Sequence, residues 1–320
     1  MKKILSVLLI LIFAFNLSAC AKDDLNSYKK AVEKTDNISK GKTDFQFNLE
    51  TKFNEGNLTL EKLEKMKYIK NIEMTSEYTF DLEKDKLIAR NYFNFGGMGF
   101  DSTFYKGKKT FIKMPMLGKY IEIDNLVSEE NNKFSEVSSI LSDKTIKNIE
   151  KEWVNILSED DVLQGKDTVI NTPDGDVKVT HYKINVTDEQ LKLYLKEIEK
   201  ILLKDENFIE IINETYEIDI DNIKKDYNEF KSQFTIDKFK YDAFIDIDGY
   251  IINEDIDIEI GFDNTKNIFK EMTINIKTKN WDIENKQEFN FPKLNDENTL
   301  DKENLNQGLP YMFEDILKGE

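Results

Sequence analysis

The chain has 320 residues, with 45 Lys and Arg against 62 Asp and Glu, a formal net charge of −17. Hydrophobic residues make up 39% and aromatics 12%, too much for a disordered polyanion, whose chain could not bury enough surface to offset its ordering entropy. The acidic balance argues against nucleic acid and against electrostatic docking on anionic lipid, both of which need clustered cations. One cysteine and one histidine exclude a disulfide framework and a cysteine-rich metal site, and leave little room for histidine-based chemistry.

The N-terminus reads as an address. Met1-Lys2-Lys3 is a basic start, Ile4 to Phe15 is almost wholly apolar, and Asn16-Leu17-Ser18-Ala19-Cys20 closes the segment with small residues. That is the build of a secretory signal, and it is short of the about 20 apolar residues that span a bilayer. Leu17-Ser18-Ala19-Cys20 resembles the lipobox of bacterial lipoproteins, and the only cysteine falls where that motif requires it. The resemblance implies a diacylglyceryl group on the Cys20 sulfur, cleavage before Cys20 and often acylation of the new amine. Two chains anchor stably where one binds marginally. The expected organisation is a signal peptide over 1–19 and a lipidated tether over 20–27, then a domain over 28–292 and a polar tail over 293–320. Its expected place is the extracytoplasmic face of the cell membrane. Loss of Lys2 and Lys3 takes the charge from −17 to −19. Arg90 is the only arginine; with abundant Asn and Ile, that bias points to an AT-rich genome and a low-G+C, clostridial-type Gram-positive bacterium.

Further along, Leu25, Tyr28, Val32 and Ile38 form a helical stripe ended by Ser39-Lys40-Gly41. Thr43–Phe53 alternates, with Phe45, Phe47, Leu49, Thr51 and Phe53 on one face of a half-buried strand. Residues 58–67 are ambiguous, with a short helix as one reading. Alternation returns over 68–82, and strands are expected at 86–95, 99–106, 108–114 and 119–123, separated by turn residues such as Glu83-Lys84-Asp85 and Gly96-Gly97. Helical spacing over 135–157 precedes a hairpin, 167–171 with 177–186, around Pro173-Asp174-Gly175. Thr187 followed by Gln190 is a capping-box spacing that opens a helix through Leu191, Tyr194, Leu195, Ile198 and Ile201. A further helix is expected over 221–234. Strands follow at 236–247, 250–261, 267–279 and 285–290, with Asp248-Gly249 read as a type I′ turn. Strands, then helices around one hairpin, then strands suit one α+β domain. Its two strand blocks would form a large curved antiparallel sheet, an incomplete β-barrel, with the mid-chain helices over its apolar face. Two strand-rich halves with a helical joint is the alternative.

This order, with the lipobox and pieces such as Thr180-His181-Tyr182-Lys183-Ile184 and Asp246-Ile247-Asp248-Gly249-Tyr250, resembles the LolA/LppX-type bacterial lipoproteins and lipoprotein carriers. The resemblance implies a half-barrel plugged by helices that binds acyl chains or other amphiphiles. It transfers no binding residue, because no motif beyond the lipobox is diagnostic.

Candidate chemistry is sparse. His181 shares strand parity with Lys183 and Asn185, opposite Tyr182 and Ile184, which reads as a solvent-facing residue. No G-x-S-x-G elbow accompanies it. Asp246-Ile247-Asp248-Gly249 fails the calcium-loop pattern, with Tyr250 at position five and Asp257 at position twelve. Asp255-Ile256-Asp257-Ile258-Glu259 is the alternation of a strand wet on one side. No catalytic residue, metal ligand or cofactor is assigned. The stretch of interest is the aromatic and methionine cluster Phe93, Phe95, Met98, Phe100, Phe104, Met114 and Met116. Most side chains of this kind pack as plain core; the functional expectation is that part of the cluster lines an apolar cavity between sheet and helices. The expected function is a non-enzymatic, lipid-anchored surface protein that binds a hydrophobic or amphipathic ligand. A membrane-tethered sensor or interaction module engaging another envelope protein is the alternative, and a hydrolase ranks last.

Overall fold

Alternating strands joined by short turns pair with their neighbours in sequence, and here that rule builds one sheet. The computed structural model describes residues 21–115, 118–122, 142–206, 208–209, 234–262 and 268–300. In chain order these form α1 (Ala21–Asp36), β1 (Lys40–Phe53), α2 (Leu60–Lys70), β2 (Asn71–Asp81), β3 (Lys86–Phe95), β4 (Met98–Lys106), β5 (Thr110–Lys113) and β6 (Tyr120–Glu122). Then come α3 (Asp143–Ile156), β7 (Val162–Thr172), β8 (Gly175–Ile184), α4 (Asp188–Leu202), β9 (Phe234–Asp246), β10 (Ile251–Phe262) and β11 (Phe269–Trp281). All eleven strands lie in one open antiparallel sheet ordered β6-β5-β4-β3-β2-β1-β11-β10-β9-β8-β7. The first strand block supplies one half, the second block extended by the mid-chain hairpin β7–β8 the other, and the β1–β11 pairing from Lys42↔Trp281 to Phe53↔Phe269 joins them. The large antiparallel sheet of the expected α+β fold is observed, open rather than closed into a barrel and accompanied by a few helices.

Local chemistry explains the ends of the elements. Thr187 accepts from the Gln190 amide while the Gln190 side chain returns to the Thr187 amide, so the capping box forms as its spacing requires. Ser142 caps α3 by accepting from the Thr145 amide, so this helix starts at Asp143; the 135–141 part of the expected helical stretch lies outside the described residues. Gly96 and Gly97 have φ of 57° and 94° and turn β3 into β4, which only glycine does cheaply at two successive positions. Helix α1 ends at Asp36, two residues short of the expected Ile38.

Three expectations are corrected. Phe234 opens β9 instead of ending a helix; the rest of the expected 221–234 helix lies outside the described residues. At Asp248-Gly249 only Gly249 has positive φ, so the turn is not type I′. The Gly249 amide donates to the Asp246 carbonyl and the Asp246 carboxylate caps the Tyr250 amide; this is the wider loop with glycine in its left-handed position. Residues 285–290 form no strand. They belong to a strap over 282–300 that crosses the outer face, pinned at one end by Glu284 accepting from the Ser39 amide at 2.6 Å. At the other end the Tyr120 amide donates to the Asn298 carbonyl and the Leu300 amide to the Tyr120 carbonyl, covering the β6 edge. Phe291 sits beside Tyr105, which stacks on Phe111 at 4.9 Å, so apolar spacing over 285–291 serves face packing instead of strand pairing.

Candidate functional site

Register decides which side chains share a face, and it carries one apolar row across nine strands. From β4 to β7 the row runs Phe100, Phe93, Met74, Phe47, Ile276, Ile256, Tyr241, Ile184 and Val162. A second row beside it holds Met98, Phe95, Ile72, Leu49 and Ile274. These rows are the inner face. The helices divide it in two.

Over β7–β10 the inner face is a closed core. Leu25, Tyr28 and Ala31 of α1 pack with Leu157, Val162, Tyr182, Ile184, Tyr241, Ala243, Ile245 and Ile251, and Trp153 and Ile156 of α3 lie against them. A hydrogen-bond chain threads this core: Trp153 Nε1 donates to Tyr28 Oη at 3.0 Å, Tyr28 Oη to Tyr241 Oη at 3.0 Å, and Tyr241 to Glu254. Burial pushes the Tyr28 and Tyr241 hydroxyls far up, with the nearby Glu254 charge adding to it. Burial also raises Glu254, against the pull of the Tyr241 hydroxyl. Asp36 is exposed as a residue, yet burial of its carboxyl and then the charges of Glu150 and Glu254 lift it to about 6. Its position at the last residue of α1 also places it at the negative end of the helix dipole. Asp205 ties the end of α4 to the start of α3, accepting from Ser142 Oγ at 2.8 Å, from Thr145 Oγ1 and from the Phe208 amide. Burial opposes its ionisation, but these hydrogen bonds outweigh that and hold it down at about 2.

Over β4-β3-β2-β1-β11 the inner face is different. Among the described residues, α1, α3 and α4 pack over β7–β10 and on one another, and α2 lies against β1–β3. The rings of Phe93, Phe95 and Phe100 cluster at 5.5–6.5 Å. All three are half-buried, and Met98, opposite Phe95, is 43% exposed. Phe104 shares their face but stands apart, paired with Ala89 and Ile112. Between it and the ring cluster runs a polar row of Ser102, Asn91 and Ser76, in which Ser76 Oγ donates to Asn91 Oδ1 at 2.8 Å. Met114 follows β5, and its amide donates to the Lys119 carbonyl in the turn before β6. Met116 and Cys20 lie outside the described residues. Sequence reading missed Phe47, Leu49, Ile72 and Met74 as members of this surface, although their alternation was visible, because pairing partners cannot be read from a single strand.

The outer face is wet. Asp255 meets Lys277, Asp257 accepts from Asn275 Nδ2 and Glu259 pairs with Lys238, the solvated alternation expected there. A shallow groove of about 360 Å³ lies over Glu77, Arg90, Tyr92 and Asp101; Arg90 is already paired with Glu77 at 3.4 Å. His181 is on this face, as its parity indicated, but it has a partner: Nε2 is 2.7 Å from Asp242 Oδ1, and its ring stacks on Phe244. Among the described residues no Ser, Thr or Cys hydrogen-bonds to His181, and no group of three acidic, His or Cys side chains could hold a metal. No described helix is long and apolar enough to cross a membrane.

No family model matches the chain, and no curated protein matches it. Similar solved structures include a DUF1329 family protein from Desulfovibrio piger, 8% identical, covering 79% of this chain and 90% of that one with a TM-score of 0.20. A LolA superfamily protein from Nitrosomonas europaea is 9% identical over 82% of this chain and 94% of its own, TM-score 0.21. A beta-barrel-like DUF1849 protein from Brucella abortus is 8% identical over 77% and 97%, TM-score 0.14. Likenesses this loose transfer no site or ligand, so the functional reading stands on the inner face itself.

Proposed function

We propose that this protein is a non-enzymatic lipoprotein, anchored through Cys20 on the outer side of the cell membrane, that holds a single acyl chain or similar amphiphile on the inner face over β4-β3-β2-β1-β11. The observation that carries the reading is the uninterrupted pair of apolar rows on these five strands, beside a half of the same face that helices already fill. With strands about 4.8 Å apart, four spacings give a trough of about 19 Å. A bilayer core of about 30 Å accommodates two layers of acyl chains, so one chain lying across the strands matches the trough. Apolar contact, methionine adaptability and the absence of any charge requirement suit such a ligand. Native mass spectrometry of the chain from residue 20 with Cys20→Ser, purified without detergent, tests it. The expected result is a co-purifying lipid, or stoichiometric uptake of an added acyl probe that Phe93→Ser abolishes. A protein that carries nothing and takes up no probe overturns it. Lipidation is tested separately, by the mass added to the N-terminal peptide of the wild-type chain and its loss in Cys20→Ser.

A further inference from the structure

Resting on that reading, we infer that the ligand's polar part is uncharged, an acyl ester or glyceride head rather than a carboxylate or phosphate, and that Asn91, positioned by the buried Ser76, recognises it. The polar row Ser102–Asn91–Ser76 lies directly beside the apolar row of Phe100, Phe93 and Met74, one residue pair further along the same face. A chain held along the apolar row has the polar row at its side, and Asn91, on β3, lies toward the β4 end, where the head group can turn onto it. The row is made of hydroxyls and one carboxamide. Ser76 Oγ occupies Asn91 Oδ1 at 2.8 Å, which leaves the Asn91 N–H groups to donate to a carbonyl or hydroxyl oxygen.

Charge decides against an anion. On β4, β3, β2, β1 and β11 the four rows from Met98 to Phe104 hold no charged side chain. The single arginine, Arg90, points its guanidinium to Glu77 on the outer face. Followed into β10, the polar row continues through Phe45 and Thr278 to Glu254, an acid. A carboxylate or phosphate placed on the Asn91 row would lose hydration and meet no cation on those rows, within a chain of net charge −17. A neutral ester loses little and gains the Asn91 donors.

The test compares three probes of similar chain length at pH 7.5 on the chain from residue 20 with Cys20→Ser: monopalmitoylglycerol, palmitate and palmitoyl lysophosphatidylglycerol. The expected result is at least tenfold tighter binding of monopalmitoylglycerol than of either anion, with Asn91→Leu reducing that ratio to near one. Ser76→Ala, a smaller change that keeps the strand pairing, should reduce the ratio part of the way, and thermal melts confirm that both variants fold. Equal or tighter binding of an anion overturns the inference while leaving the acyl-carrier reading intact, as does a ratio unmoved in both variants. If none of the three binds, the carrier reading falls and this inference with it.

Discussion

The two halves of the inner face are made of similar residues and used differently. Over β7–β10, Tyr28 is fully buried and its hydroxyl is part of a chain linking α1, α3 and two strands. Over β4-β3-β2-β1-β11, Phe93 and Phe100 of the same row are only half-buried and cluster with Phe95 of the next row. The row is continuous in sheet register, but its stability is concentrated on the side that the described helices cover. Where side chains interlock across three elements, loss of one costs both transfer energy and a cavity; on an open surface the neighbours can close in.

The largest effect is therefore expected for Tyr28→Ala, which removes a fully buried ring and breaks the hydrogen-bond chain; it should destabilise by about 3–5 kcal/mol in denaturant melts. If Phe93→Ala costs as much, the contrast between the halves is wrong; on a half-open surface it should cost only about 1–2 kcal/mol while removing ligand uptake. Next comes Gly96→Ala at the edge of the open half. A Cβ there would lie 2.3 Å from the Lys67 carbonyl oxygen with φ at 57°, so a loss of about 2 kcal/mol or more is expected, read as a lower midpoint in the same melts.

A pH series sharpens the contrast. Asp36 is raised to about 6, and its proton is bound more tightly folded than unfolded. Its stabilising contribution is thus full below the ordinary carboxylate range and is lost as pH rises through about 6. Glu254 acts in the same direction. Asp205, held at about 2, works oppositely, contributing above the ordinary range and losing it as pH falls toward 2. Hydrogen exchange of α1 should slow from pH 7.5 to pH 5.5 after correction for the intrinsic rate, and Asp36→Asn should flatten that change; the amides of β3 should show no such dependence. The smallest effect is expected at His181→Ala on the outer face. Its pair with Asp242 is partly exposed, and Asp242 keeps Lys240, so stability should move by about 0.5 kcal/mol or less.

Much of this was legible in the chain. The alternation of Phe45, Phe47 and Leu49, the Gly96-Gly97 turn and the Thr187–Gln190 box each state their local structure, because period, positive φ and capping are properties of neighbouring residues. Phe93, Phe95 and Phe100 could be picked out as a cluster for the same reason. Phe104 and Met114 were grouped with them by proximity in sequence, which the register undoes: a polar row separates Phe104 from the rings, and Met114 lies in a turn. The misread 285–290 segment has strand composition, yet it packs its Phe289 and Phe291 rings on the outer face, a choice that depends on Tyr105 and Gly107 being there to receive them.

Alternation along the chain settled most of the strands and their wet and dry faces, with acids such as Asp255, Asp257 and Glu259 on the wet side. Only the tertiary structure decided that strands from the two ends of the chain meet at β1 and β11 and that helices fill one half of the shared face. It also brought Glu254 and the Asn91 row onto the inner side. The physical reason is that periodicity is local, whereas pairing partners, cover and burial are set by residues more than two hundred positions apart, such as Phe47 and Ile276.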